Sequence, residues 1–361
     1  MKIAIDAREL AGQPTGVGRY LSAILAAWDG FAAAAAHEFI LCAPKPVTAP
    51  TASALRLSSA VMSGGGTLWE QIALPRLLAR VRPDVLFAPA YTAPIRTSFP
   101  TVVTIHDVSF AAHPEWFSWR EGVRRRVLTR LSARRAARVI TVSDFSKREI
   151  VRQLGVSGDK VDVIYSGTGQ HTTAVARGTD RNTPVVLYVG SIFNRRHVPE
   201  LIAAFSALSS RHETTRLELV GDNRTHPSLD IDDQIRRSAA ATRIRWRAYV
   251  SDDELASLYE QASVCVFLSE YEGFGFTPLE ALSAGAPIVV LDTEVAREIY
   301  GPAAVYVARP DPVLIEQALE QALFDDHERA RVLDAAGTVL ERYSWTECAH
   351  RTLQVLVACG R

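Results

Sequence analysis

The chain has 361 residues, more than one hydrophobic core commonly supports, so two domains of similar size are expected. Hydrophobic residues at 48% and charged residues at 22% exclude a disordered or fibrous protein. Forty basic residues balance forty acidic ones, which removes the global positive field that non-specific nucleic-acid binding needs, and no nucleic-acid partner is expected.

Met1-Lys2-Ile3-Ala4-Ile5-Asp6 runs straight into a strand pattern. No charged region, apolar stretch and cleavage site stand ahead of it, so a cytoplasmic protein is expected. Further strands are predicted at residues 39–42, 85–88, 102–106, 139–142 and 161–165, and after a break at 185–190, 217–221, 264–268 and 288–291. These runs are apolar throughout rather than alternating, as in strands buried on both faces of a parallel sheet. Helical patterns such as 201–208 and 253–262 lie between them, so the fold class is α/β. The break, residues 169–183, is small and polar without apolar periodicity and reads as a linker. It separates residues 1–168 from 184–342, each long enough for a Rossmann-like, doubly wound parallel sheet. Two such domains are expected to face a cleft, with ligands beyond the carboxyl ends of the strands. The four cysteines, Cys42, Cys265, Cys348 and Cys359, lack metal spacing and read as reduced thiols. Only four of the forty basic residues are lysine, and alanine is abundant, the bias of a GC-rich bacterial genome.

Candidate sites follow the strands. Gly12-Gln13-Pro14-Thr15-Gly16-Val17-Gly18-Arg19-Tyr20 sits between the first strand and an amphipathic helix. Leu21 stands where a dinucleotide fingerprint has its third glycine, but Gly16 and Gly18 still offer backbone N–H groups to an anion. His106-Asp107 ends a strand of the first half. A lone histidine is more often structural, yet at this place it can hydrogen-bond hydroxyls and exchange protons near neutrality. From Arg120 to Arg138 the chain holds eight arginines around a stripe of Val123, Val127 and Leu131. Such a helix is either an ordinary one with a solvated face or a surface for anionic lipid.

In the second half, Tyr188-Val189-Gly190-Ser191-Ile192-Phe193-Asn194-Arg195-Arg196-His197 puts paired arginines at a strand end, either solvated or aimed at a ligand. Asp230-Ile231-Asp232 lies in a polar, helix-initiating context and is rejected as a metal site. Leu268-Ser269-Glu270-Tyr271-Glu272-Gly273-Phe274-Gly275-Phe276-Thr277-Pro278-Leu279-Glu280 joins a strand to a short helix whose N-terminus is an anion site. Thr277 is a candidate N-cap with Pro278 at the first helical position, and Glu280 then either closes a capping box or binds a ligand. Glu272 has no capping role. Two carboxylates beside an anion-binding turn suit a ligand with both phosphate and hydroxyls.

Glu272-x7-Glu280, the run VGSIFNRRH, the turn TGVGRY and the segments TIHDVSF and TVSDFSKREI together resemble a family 4 glycosyltransferase of the GT-B fold, over essentially the whole chain. The resemblance implies a retaining transferase moving a sugar, mannose-like or rhamnose-like, from a nucleotide diphosphate-sugar to a glycan or lipid-linked acceptor of bacterial surface polysaccharide. It implies that Glu280 holds the ribose, that Glu272 and the backbone of Gly273, Phe274, Gly275 and Phe276 contact the donor sugar, and that Arg195 and Arg196 bind the pyrophosphate. Gly190 begins that loop, with Gly16 and Gly18 presenting N–H groups from the other domain. His106 sits beside the reacting sugar, Tyr20 and Asp107 lie on the acceptor side, and Tyr249, Val250 and Leu255 line the base pocket. After Tyr343-Ser344-Trp345, a last helix, 343–361, crosses back to the first domain. Arg196 replaces the lysine usual in the family, and His197 stands where asparagine is common.

With no metal or other cofactor expected, leaving-group charge falls on arginines and helix N-termini. Without a committed nucleophile, retention is expected by same-face attack, the departing phosphate oxygen assisting deprotonation of the acceptor. A nicotinamide dehydrogenase leaves the two glutamates unexplained, and a pyridoxal-phosphate phosphorylase needs a lysine beyond Lys160, where none exists. A non-catalytic sugar- or nucleotide-binding protein on the same scaffold is the remaining alternative. Peripheral attachment to the inner face of the cell membrane would follow if the basic helix binds lipid.

Overall fold

The computed structural model describes residues 1–12, 16–47, 54–169 and 183–360, so most of the predicted linker lies outside the described residues. The chain divides into two compact units, Met1–Gly167 with Tyr343–Arg361, and Thr168–Arg342.

The first unit holds strands β1 (Lys2–Asp6), β2 (Glu38–Ala43), β3 (Arg56–Val61), β4 (Val85–Ala88), β5 (Thr101–Thr104), β6 (Arg138–Thr141) and β7 (Val161–Val163). All pairings are parallel, in the order β3-β2-β1-β4-β5-β6-β7. The second unit holds β8 (Val185–Val189), β9 (Arg216–Val220), β10 (Ile244–Arg247), β11 (Val264–Phe267), β12 (Ile288–Leu291) and β13 (Val305–Val307), again parallel, in the order β10-β9-β8-β11-β12-β13. Both sheets are doubly wound. Their order reverses between β1 and β4 and between β8 and β11, and ligand loops adjoin at such reversals.

Three strands, β3, β10 and β13, are absent from the sequence expectation, and each lies at a sheet edge. β3 is largely exposed, so it carries no apolar run, and β10 reads Ile-Arg-Trp-Arg. Central strands such as β4 and β12 are buried at every position.

The helix Gly16–Asp29 buries Tyr20, Leu21, Ile24, Leu25 and Trp28 along one stripe against the first sheet. Trp28 Nε1 donates to the Ala349 carbonyl at 2.8 Å, which ties the last helix, Trp345–Cys359, into this unit. The basic helix spans Trp119–Arg135. It buries Gly122, Thr129, Ser132 and Ala133, and the Val123, Val127 and Leu131 stripe faces solvent. Arg138 is not part of it; it lies on β6 and pairs with Asp162.

Candidate functional site

In the second unit the loops after β8 and β11 meet. Glu270 N donates to the Arg195 carbonyl at 3.0 Å, joining them through backbone. Gly190, at φ +136°, turns the first loop, and a Cβ there would stand 2.7 Å from Arg196 Nη1. Only glycine lets that guanidinium fold back over the strand end. Arg196 Nη1 donates to the Ser191 carbonyl at 2.9 Å, while Nε and Nη2 donate to Glu272 Oε1 at 3.0 and 2.7 Å. Ser269 Oγ donates to the same oxygen at 2.8 Å. Among the described residues no donor reaches Glu272 Oε2. Arg196 lies over Phe267 and Phe193, and Arg195 over Phe193. Burial opposes the Arg196 charge, but Glu272 and Tyr188 together outweigh it and hold the pKa above its ordinary value. Beneath it the buried Tyr188 hydroxyl, pushed up to about 12 by desolvation, also donates to the Ser191 carbonyl. His197, at φ +51°, is in the left-handed region that asparagine tolerates well. Burial disfavours its cation, yet Glu200 and Glu270 raise its pKa.

The second loop ends at Gly275, which has φ +87° and is the N-cap of the helix Phe276–Ser283. Of the two readings of Glu280, the capping box does not form: Thr277 is the second helical residue, because the left-handed glycine starts the helix earlier. Glu280 instead accepts a hydrogen bond from the buried Tyr259 hydroxyl at 2.7 Å. Burial, with Glu280 next, raises the Tyr259 pKa well above normal, so it remains a donor. Phe274 and Phe276 pack edge to face, and Phe274 and Gly273 are buried. Beyond β10, Val250 is buried, Leu255 half-buried and Tyr249 exposed. Asp230 caps its own helix by accepting from Asp233 N, as its helix-initiating context suggested.

In the first unit, Gly16 is exposed at the start of its helix and Gly18 is the third residue, so both N–H groups are among those without an intrahelical acceptor. His106 Nε2 donates to the Pro89 carbonyl at 2.9 Å, which leaves Nδ1 as the acceptor nitrogen. Burial lowers the His106 pKa, against the Pro89 carbonyl and Asp107. Asp107 accepts from the Tyr91 hydroxyl and from Ser109 N, both at 2.8 Å. Tyr20 is fully buried and packs edge-on against His106, so it backs the histidine rather than facing an acceptor. Its position on the inner stripe of the helix decides this.

Sequence reasoning missed a charged cluster at the β1/β4 reversal. Arg8 Nη2 lies 2.8 Å from Asp6 Oδ2 and 2.5 Å from Glu70 Oε1, and Thr92 Oγ1 donates to that glutamate oxygen. Asp6 and Glu70 are buried. Charges at the end of a buried strand were the one available signal, for Asp6 and Arg8; Glu70 sits in a π-helical turn, Trp69–Ala73, with none. Burial raises the Asp6 carboxyl from 3.8 to about 6, with Glu70 and Glu9 adding to it and Arg8 opposing; Cys42 also adjoins. Between about pH 4 and 6 the folded chain binds this proton more tightly than the unfolded one, so stability falls as pH rises through that window. Asp6→Asn is expected to stabilise the protein at pH 7.5 by about 2–3 kcal/mol, the gain vanishing near pH 4; urea titrations at both pH values check it.

Residues 14–168 match the family described as Glycosyltransferase Family 4, and residues 170–338 the one described as Glycosyl transferases group 1. O-antigen chain mannosyltransferase B of Escherichia coli is 26% identical over 264 residues, 70% of this chain and 68% of that protein. A glycogen synthase of Mycobacterium tuberculosis is 28% identical over 291 residues, 78% of this chain and 70% of its own length. The crystal structure of HepE from Anabaena, in complex with UDP and glucose, matches with a TM-score of 0.74 at 19% identity, over 99% of this chain and 100% of that one. The fold is that of the GT-B enzymes. With both sheets, the two strand-end loops and the family matches in agreement, this chain belongs to family 4 of the glycosyltransferases.

Proposed function

We propose that the protein is a retaining, metal-independent transferase that moves a mannose-like or rhamnose-like hexose from a nucleotide diphosphate-sugar to a glycan or lipid-linked acceptor of bacterial surface polysaccharide. The reading is carried by Arg196 bonded to Glu272 on two loops that adjoin at the β8/β11 reversal, with Glu280 on the helix that the second loop opens. Arg195, Arg196 and the N–H groups that open the helix Phe276–Ser283 supply positive charge for a departing diphosphate. Glu280, oriented by Tyr259, takes the ribose hydroxyls, and Glu272, with its second oxygen open, takes a sugar hydroxyl. His106 accepts a hydrogen bond from a sugar hydroxyl at Nδ1, a role favoured by the Nε2–H tautomer. Metal independence is supported by the commitment of Asp230 to its own helix cap. Retention is assigned to same-face attack, the leaving phosphate oxygen assisting acceptor deprotonation. The mannose-like donor follows the E. coli relative. Incubation with GDP-mannose, dTDP-rhamnose and UDP-glucose in the presence of a chelator tests this: nucleotide release and a product that keeps the donor's anomeric configuration are expected. Failure with every donor would leave a binding protein, and an inverted linkage or loss with chelator would overturn the mechanism.

The acceptor is proposed to lie at a membrane surface. Among the described residues no helix is long and apolar enough to cross a membrane. The helix Trp119–Arg135, however, exposes Trp119 at 77%, Val123, Val127 and Leu131 among arginines, and Arg124 reaches Thr67 next to Leu68, which is 73% exposed. Apolar anchors inside a basic field suit an anionic bilayer on the cytoplasmic side. Replacing Arg120, Arg124, Arg126 and Arg130 by glutamine is expected to weaken flotation with phosphatidylglycerol vesicles at least tenfold, at about 1 kcal/mol per arginine, without changing turnover on a soluble acceptor.

A further inference from the structure

We propose that Glu70 is a positioning residue for His106, acting through Thr92 and the loop of residues 89–95. The inference rests on the reading that His106 touches a sugar hydroxyl. The loop follows β4 and has no regular structure, yet it fixes the histidine: the Pro89 carbonyl takes the His106 Nε2 proton at 2.9 Å, and the Tyr91 ring packs against the imidazole at 5.4 Å. Tyr91 stands at φ +65°, a backbone state that a bulky residue holds only when its surroundings impose it.

Those surroundings are side chains from elsewhere. Thr92 Oγ1 donates to Glu70 Oε1 at 2.5 Å; Gln71 takes the Ile95 N–H at 2.9 Å and donates to the Ala93 carbonyl at 3.2 Å; Ser132 Oγ accepts from Ala93 N at 3.0 Å. Glu70 also accepts from Gln71 Nε2 at 3.1 Å, so it is the point where the clamp and the Arg8 ion pair join. It does this from a π-helical turn, an insertion that turns a side chain off the regular helical phase and recurs at functional sites. A buried charged residue with no catalytic contact, spent on a strained loop beside a histidine, has the geometry of a support for that histidine.

The test uses Glu70→Gln and Thr92→Val, the second leaving the Arg8 pair untouched, in the full chain. Imidazole nitrogen NMR, with His106 assigned by a His106→Gln control, reads the tautomer directly, and turnover is measured with the donor that the protein accepts. In the wild type His106 is expected as a single Nε2–H form. Both variants are expected to mix the tautomers and to lower kcat about tenfold with donor KM within twofold, at thermal midpoints that leave the protein folded. If Glu70→Gln does not fold, Thr92→Val alone decides. An unchanged His106 signal in Thr92→Val overturns the positioning role, whatever turnover does. A changed signal with unchanged turnover upholds it and overturns instead the sugar contact assigned to His106.

Discussion

Arg196→Ala is expected to lower kcat/KM for the donor roughly a thousandfold. Two charge-assisted hydrogen bonds to phosphate oxygens at about 2 kcal/mol each amount to about 4 kcal/mol, and each 1.4 kcal/mol is a factor of ten in rate. The side chain is 13% exposed, so bulk water screens it poorly. The same substitution strips Glu272 of its cation, and removing one partner of a buried pair costs up to about 3–5 kcal/mol, less here because Glu272 is 20% exposed. Activity should therefore be measured well below the variant's melting midpoint. Arg196→Lys restores the residue common in the family but gives up the two-pronged contact with Glu272 and the packing over Phe267, and a loss of about tenfold is expected. Turnover of Arg196→Ala within threefold of the wild type would remove the leaving-group role and with it the basis of the functional reading.

Gly275→Ala is expected to destabilise the protein by about 2–4 kcal/mol and to lower its melting midpoint by roughly 8 °C. The glycine sits at φ +87°, where an L side chain costs about 1–2 kcal/mol, and an added Cβ would meet Tyr300 Oη at 2.1 Å. Moving Tyr300 away sacrifices its hydrogen bond to the Gly275 carbonyl, 3.0 Å long, worth about 1 kcal/mol. The start of the helix Phe276–Ser283 shifts with it, so donor turnover is expected to drop at least tenfold in the folded variant. In a Tyr300→Phe background the clash is absent, and the substitution should cost about 1–2 kcal/mol less; equal costs in both backgrounds would refute the steric account.

What could be read from the chain follows physical range. Central strands announce themselves because both faces are buried and every residue must be apolar; β3 and β10, at sheet edges, are partly exposed and lose that signature, while β13 is apolar but only three residues long. Gly190, Gly275 and the paired arginines were legible as turns and charges after strands. Glu280 could not be settled, since Thr-x-x-Glu is equally a cap and a ligand pair until the conformation of Gly275 is known. Burial of Tyr20 was not legible from the resemblance, because helical phase sends the side chain into the core behind His106.

Strand sequence, turn chemistry and the candidate carboxylates and guanidiniums are local properties, and the amino-acid order alone determined them. Which of those charges meet is not local: Arg196 and Glu272 are 76 residues apart, and Arg8 and Glu70 are 62 apart. Arg196 and Glu272 come together because the sheet order lays β8 beside β11, so that loops distant in the chain share one end of a sheet, and Arg8, after β1, meets Glu70 on the helical crossover from β3 to β4. Only the tertiary structure decided that, since burying a charge is tolerable only where its partner is buried beside it.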